Sequence, residues 1–199
     1  MYPIVQRIKE YYLANPHYQY FTEDNWVYII DSVRARRETR WLKRAGKDPT
    51  PLIKPLPAPV TVVEIVEAEK LLGFKIPPLL RELYLEIGNG GFRPHILGLN
   101  KEGWREGISY AASSVEHYLL EYREGEESLG QEWNEFLKER LVIGYGGCTL
   151  YYLLDCRSED GPIICWDARG LTIEAFEVKA YSLTNWLENW LDGSPGYEQ

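Results

Sequence analysis

Three histidines, three cysteines and one glycine-rich tetrapeptide are the residues of this chain best suited to catalysis, metal ligation or phosphate binding, and their spacing speaks against all three. His17, His95 and His117 fall in three different predicted elements with no ligand spacing, and are read as surface or hydrogen-bonded side chains. Cys148, Cys156 and Cys165 are odd in number and lack CxxC or Cys/His spacing, so neither a disulfide framework nor a zinc site is expected. Cys156 and Cys165 flank a predicted hairpin loop and could face each other across it, but inert buried thiols are the expectation. Gly144-Tyr145-Gly146-Gly147 precedes a predicted strand, so it cannot aim its amides from a helix N-terminus at a phosphate, and a β-turn is expected. No nucleophile sits beside a base. The sequence therefore points to no catalytic residue, no metal and no cofactor.

A different chemistry is concentrated between Trp104 and Glu139. Glu121, Glu124, Glu126 and Glu127 surround Gly125, and Glu132, Glu135 and Glu139 follow. A solvated helix face is the simplest account of such a run. Trp104, Tyr118, Tyr122 and Trp133 nevertheless supply the rings that protein interfaces favour, beside charges that would steer a basic partner. A partner-binding surface is therefore placed at Trp104, Tyr118, Glu121, Tyr122, Glu124, Glu126, Glu127, Glu132, Trp133 and Glu135.

The whole chain has 199 residues and a formal charge of -8. That length is enough to bury a core without staples. The charge is unevenly spread: residues 1–60 hold ten Lys/Arg against six Asp/Glu, and residues 61–199 hold twelve against twenty-four. An acidic body repels nucleic acid and attracts basic partners. Arg34, Arg36, Arg37, Arg40, Lys43, Arg44 and Lys47 line one predicted helix and are read as a solvated face, so no specific nucleic-acid binding is expected. No apolar run has signal-peptide or membrane-spanning length, and the cysteine usage suits a reducing cytoplasm, so a soluble cytoplasmic protein without a membrane partner is expected, with a monomer favoured.

The elements that must position these residues follow from periodicity. Ile4, Ile8, Tyr11 and Tyr12 predict a helix over 3–14, ended by Asn15-Pro16. A second helix is expected from Asp24 to about Ala45. Five prolines between Lys47 and Pro59 then impose an extended connector. Thr61 with Glu64 forms a capping box, and Val62, Ile65, Val66, Glu69 and Leu72 mark the expected buried face of a helix stopped by Gly73. Pro77 or Pro78 opens another helix with Leu80, Leu83, Tyr84 and Ile87 inward, and Gly88-Asn89-Gly90-Gly91 stops it. Phe92–Leu99 is read as a first strand. Ser113 or Ser114 caps a helix through Val115, Tyr118, Leu119 and Tyr122, and a short helix carries Trp133, Phe136 and Leu137. Leu141–Gly144, Thr149–Leu154, Ile163–Trp166 and Thr172–Phe176 read as an antiparallel meander, and Leu183, Trp186, Leu187, Trp190 and Leu191 as a terminal amphipathic helix capped by Ser182 or Thr184.

The succession Glu67, Glu69, Leu72, Gly73, Ile76, Pro77, Leu80, Leu83, Tyr84, Asn89, Gly90 and Gly91 resembles the SUKH superfamily. That superfamily includes fungal regulators of SMI/KNR type and many bacterial immunity proteins. Gly146-Gly147, Asp155 and Trp186-Leu187 continue the match, which covers about residues 60–192. The resemblance implies an α+β fold, here a mainly antiparallel sheet of about five to six strands with helices packed on one face. Two N-terminal helices are added by the sequence reading. Residues 1–59 form an extension with its Pro-rich connector, packed on a 60–199 domain. The resemblance also implies binding without catalysis: neutralisation of a cognate toxin, with a basic nuclease as the partner that charge complementarity fits, or a regulatory scaffold of SMI/KNR type as the alternative.

Overall fold

Helix α1, Pro3–Ala14, turns Ile4, Val5, Ile8 and Tyr12 inward in the computed structural model, which describes residues 1–14, 40–47, 57–92, 94, 96–100, 113–119, 131–147, 150–167 and 176–193. Of the expected second helix only 40–44 lies among the described residues and is helical, with Gly46 at φ 67° just beyond it. Helix α2, Val62–Leu72, begins as its capping box requires: the Glu64 amide donates to the Thr61 hydroxyl, and the Thr61 amide donates to the Glu64 carboxylate at 2.7 Å. Those bonds hold the Glu64 carboxyl below its ordinary range. Thr61→Ala removes the cap and is expected to lower stability by about 1 kcal/mol, read as a shift of the urea midpoint at constant slope.

Gly73 ends α2 in the left-handed conformation at φ 80°, and Pro78 opens α3, Pro78–Glu86, where its missing N–H costs nothing. The buried face of α2 is Ile65, Ala68, Glu69 and Leu72, and not the set that includes Val62 and Val66, which are 58% and 51% exposed. Valines at 62, 63 and 66 and Leu71 wrap apolar residues around most of the helix, so periodicity alone does not select the seam.

Gly90 and Gly91 both take φ 77° after α3. Asn89 has its own task there. Its side-chain oxygen accepts the Leu99 amide at 2.8 Å, its NH2 donates to Asn100 at 2.8 Å, and Asn100 donates to Glu64 at 3.0 Å, tying the turn back to the α2 cap. Tyr84, fully buried, donates to the Leu97 carbonyl at 3.0 Å and meets the Ser114 hydroxyl at 3.3 Å, so its phenol is satisfied in the core.

The described strands form one antiparallel sheet in sequence order: β1 (Arg140–Gly147), β2 (Leu150–Asp155), β3 (Ile163–Asp167) and β4 (Phe176–Ala180). The α+β class and the meander stand, with four strands among the described residues in place of five or six. Three local readings change. The described residues of Phe92–Leu99 contribute a single bridge, Ile96 with Gly144. Gly144–Gly147 lies within β1, not in a turn, beside irregularities at Val142/Gly144 and Tyr145/Gly147. The last described strand runs from Phe176, the end of the expected 172–176, on to Ala180, while 172–175 lie outside the described residues.

Alternation along the strands divides the core in two. Leu141, Ile143, Leu154 and Ile163 face α1, α2, α3 and the closing helix α5, Leu183–Leu191. Val142, Leu153, Ile164 and Trp166 face the other way and are covered by Trp133 and Leu137 of α4, Gln131–Leu137. Helices therefore lie on both faces, and α4 is the exception to the one-sided expectation. Helix α5 starts on the Ser182 hydroxyl, which accepts the Asn185 amide at 3.0 Å. It meets α1 through Tyr11 and Trp190, whose ring centroids are 5.1 Å apart, and through an Arg7–Asp192 ion pair at 2.7 Å.

Candidate functional site

Burial divides the residues expected to form the acidic, aromatic face. Glu132 and Glu135 are exposed on α4, where a basic partner could reach them. Trp133 lies between them in sequence but points inward at 3% exposure, its ring 5.0 Å from Trp166 and 5.5 Å from Phe176. Tyr118 is 6% exposed and meets Phe74 edge-on at 5.2 Å. Both rings are core and neither forms a rim. Large amphipathic rings bury more area inside than at a surface, and on so short a helix the apolar position is the one that seats it. Trp104, Glu121, Tyr122, Glu124, Glu126 and Glu127 lie outside the described residues.

The helical residues 114–119 start on Ser113, whose hydroxyl accepts the Glu116 amide at 3.2 Å and donates to the Glu116 carboxylate at 3.0 Å. This helix carries His117 into the protein. Burial lowers the pKa of His117 to about 4, so its imidazole is neutral at neutral pH, packed 4.8 Å from the Tyr151 ring. His17, His95 and Cys148 lie outside the described residues. Burial raises the Cys156 thiol to about 12 and shifts Cys165 the same way, so neither supplies a thiolate. Cys165 stands opposite Tyr152 in the β2–β3 register while Cys156 lies beyond the end of β2, so the two thiols do not meet across the hairpin. Among the described residues no group of three or more His, Cys, Asp or Glu could hold a metal ion.

Two buried carboxylates, Glu69 and Asp155, each gather two cations. Glu69, 4% exposed, accepts Lys75 at 2.6 Å, Arg81 at 2.9 Å and the Ile76 amide at 3.2 Å. Its burial favours the neutral acid, but the hydrogen bond from Lys75 and the charge of Arg81 outweigh that and hold the carboxyl below its ordinary value. Asp155, at the end of β2, binds the Arg157 guanidinium through two nitrogens and lies 3.3 Å from Arg140 Nε, whose guanidinium also covers the Phe136 ring at 4.3 Å. Burial opposes ionisation there too, and the Arg157 hydrogen bonds and Arg140 charge reverse it. Sequence reading placed Glu69 on a buried face and Asp155 at a strand end. It did not foresee the cations gathered on each: Arg81 reaches Glu69 from the next helix and Arg140 reaches Asp155 from the neighbouring strand, while Arg157, two residues from Asp155, was a local partner that the reading missed.

A helix pair joined by Gly73 and Pro78, an Asn-Gly-Gly stop, a four-stranded meander and a closing Trp-Leu helix define an α+β domain in which Glu69 and Asp155 are buried carboxylates paired with cations. The chain belongs to the SMI1 / KNR4 family (SUKH-1), whose model matches residues 59–190. No curated protein matches it. No helix among the described residues is long and apolar enough to cross a membrane.

Proposed function

We propose that this chain is a cytoplasmic, non-catalytic immunity-type protein that binds and neutralises a cognate bacterial toxin, a basic nuclease being the partner its charge suits. Family membership over residues 59–190 carries the reading, and the acidic balance of residues 61–199 supports it. A nuclease is basic where it holds phosphate, so an acidic blocker arrives quickly and competes with nucleic acid for the same surface. In this reading the chain acts as a monomer, residues 1–59 pack as an extension on the 60–199 body, and contact is made by Glu132 and Glu135 with Trp104, Glu121, Tyr122, Glu124, Glu126 and Glu127. The burial of Ile4, Val5, Ile8 and Tyr12 in the same core as α2 and α3 supports the packing of residues 3–14 on the body. The SMI1 / KNR4 family name keeps a regulatory scaffold as the second reading.

Co-expression with the product of the adjacent gene separates the two. Restored growth with a recoverable complex supports the immunity reading, and continued killing with no complex rejects it. Changing Glu121, Glu124, Glu126, Glu127, Glu132 and Glu135 together to Gln is expected to slow association about tenfold at low salt and to flatten its salt dependence. An unchanged on-rate would place the contact on another face.

A further inference from the structure

The helical residues 40–44 and the turn after them carry Arg40, Lys43, Arg44 and Lys47 and no acid. All four cations are exposed, and none pairs with a described carboxylate. On a chain of net charge -8 this is a local reversal: residues 34–48 hold seven Lys/Arg against Glu38 and Asp48. Trp41 stands among them 61% exposed, with the Lys47 ammonium 5.7 Å from its ring centre. The helical turn, continued by the Ala45 amide on the Trp41 carbonyl at 2.9 Å, sets Trp41, Leu42 and Ala45 on one side and Arg40, Lys43 and Arg44 on the other. Ala45 is exposed and Leu42 half-buried, and neither Trp41 nor Leu42 joins the packed core, so the fold uses neither side of the segment.

We infer that residues 40–47 attach the protein to an anionic lipid surface, with Trp41 and Leu42 entering the headgroup layer and Arg40, Lys43, Arg44 and Lys47 meeting its phosphates and carboxylates. Basic side chains beside Trp and Leu on a short amphipathic segment suit such an interface, and clusters of four to eight cations are what acidic lipid attracts. Indole prefers the boundary between hydrocarbon and water, and long Lys and Arg stems let the charge stay with the headgroups while the ring sinks. Two other anionic partners fit less well. A protein groove reads a helix through anchors at i, i+3 or i+4 and i+7, but the residues four and three places before Trp41 are Arg37 and Glu38, so the apolar side ends after one turn. A nucleic acid would engage the basic side and leave the apolar side in water, and Lys47 lies over the ring where a base would stack. The acidic body is repelled by the same lipid, and salt screens that repulsion beyond about 10 Å, so attachment is weak and reversible. The expectation of no membrane partner came from the lack of a spanning run, and surface attachment requires none. None of the residues proposed for toxin contact lies in 40–47, so either reading can fail its test without the other.

The test is co-sedimentation of the full chain with phosphatidylcholine vesicles, plain or carrying about 30% phosphatidylserine, at about 20 mM and about 150 mM salt. Saturable binding to the phosphatidylserine vesicles that weakens with salt is expected, with little binding to the plain ones. The Arg40→Gln/Lys43→Gln/Arg44→Gln variant is expected to weaken it at least about tenfold, and Trp41→Ala about fivefold with the salt dependence retained. Both variants change side chains that the fold does not pack, and an unchanged urea midpoint checks that they fold. No binding to phosphatidylserine vesicles at the lower salt overturns the proposal, as does equal binding to plain vesicles. Full binding by the triple variant would place the contact elsewhere on the chain, and full binding by Trp41→Ala would reduce it to charge alone; either result overturns the anchor. So does tighter binding, at equal charge, of a labelled single-stranded oligonucleotide or of poly-glutamate.

Discussion

Gly90→Ala is expected to cost about 3 kcal/mol or more, enough to unfold a marginal domain. Two effects add. Gly90 sits at φ 77°, where a Cβ costs about 1–2 kcal/mol, and that Cβ would lie 2.3 Å from the Gly98 amide nitrogen and 2.5 Å from the Leu97 carbonyl carbon. Those neighbours are backbone. They belong to the segment anchored by Asn89 on Leu99 and by the Leu97 amide on the Ile143 carbonyl at 2.8 Å, so yielding would break hydrogen bonds on both sides. Gly73→Ala is the matched comparison: it has nearly the same φ, 80°, but nothing within 4 Å of the added carbon, and is expected to cost only the conformational strain. Urea unfolding of both variants checks the ordering, and equal losses would show that the Gly98 contact relaxes freely.

Glu69→Ala is expected to cost about 2–4 kcal/mol, because it removes an acceptor shared by Lys75, Arg81 and the buried Ile76 amide. Lys75→Ala, which removes a side chain that is 80% exposed, is expected to cost less than about 1 kcal/mol. A loss below that bound for Glu69→Ala would mean the turn holds without its carboxylate. The same group sets an acid limb. Its folded pKa lies below the ordinary value of 4.5, so its contribution is complete above that value and is lost as pH falls through the folded pKa. Asp155, depressed likewise, adds to the fall. Stability of the unaltered chain should therefore decline on acidification below about pH 4.5, and less steeply in Glu69→Gln.

Much of this architecture was legible because caps and breakers are local. Thr61 and Glu64 can satisfy each other whatever surrounds them, and Ser182 before Leu183, Trp186 and Leu187 marks a helix on its own terms. Choices among faces were less legible. Val62 and Val66 match the helical period as well as Ile65 and Ala68 do, and only the packed neighbours separate them. Trp133 and Tyr118 belong equally to an interface or a core by composition, and burial assigned them to the core. Phe176–Ala180 escaped notice because Glu177 and Lys179 interrupt its apolar pattern, as suits a strand with one described partner. The placement of Lys75 and Arg157 beside one open groove was unreadable for another reason: the two lie far apart in sequence and are brought to it only through the fold.

The pairing of α1 with α5 has a consequence for how the protein is made. Arg7 and Asp192 are 185 positions apart. A ribosome adding about 5–20 residues each second delivers one about 10–40 s before the other. Helix α3 gives Val5 and Ile8 part of their seat midway, but the side facing Leu187 and Trp190 stays bare until synthesis reaches α5. The nascent chain thus carries an apolar surface through most of its own translation, and a chaperone that holds it over that interval does for α1 what α5 does afterwards.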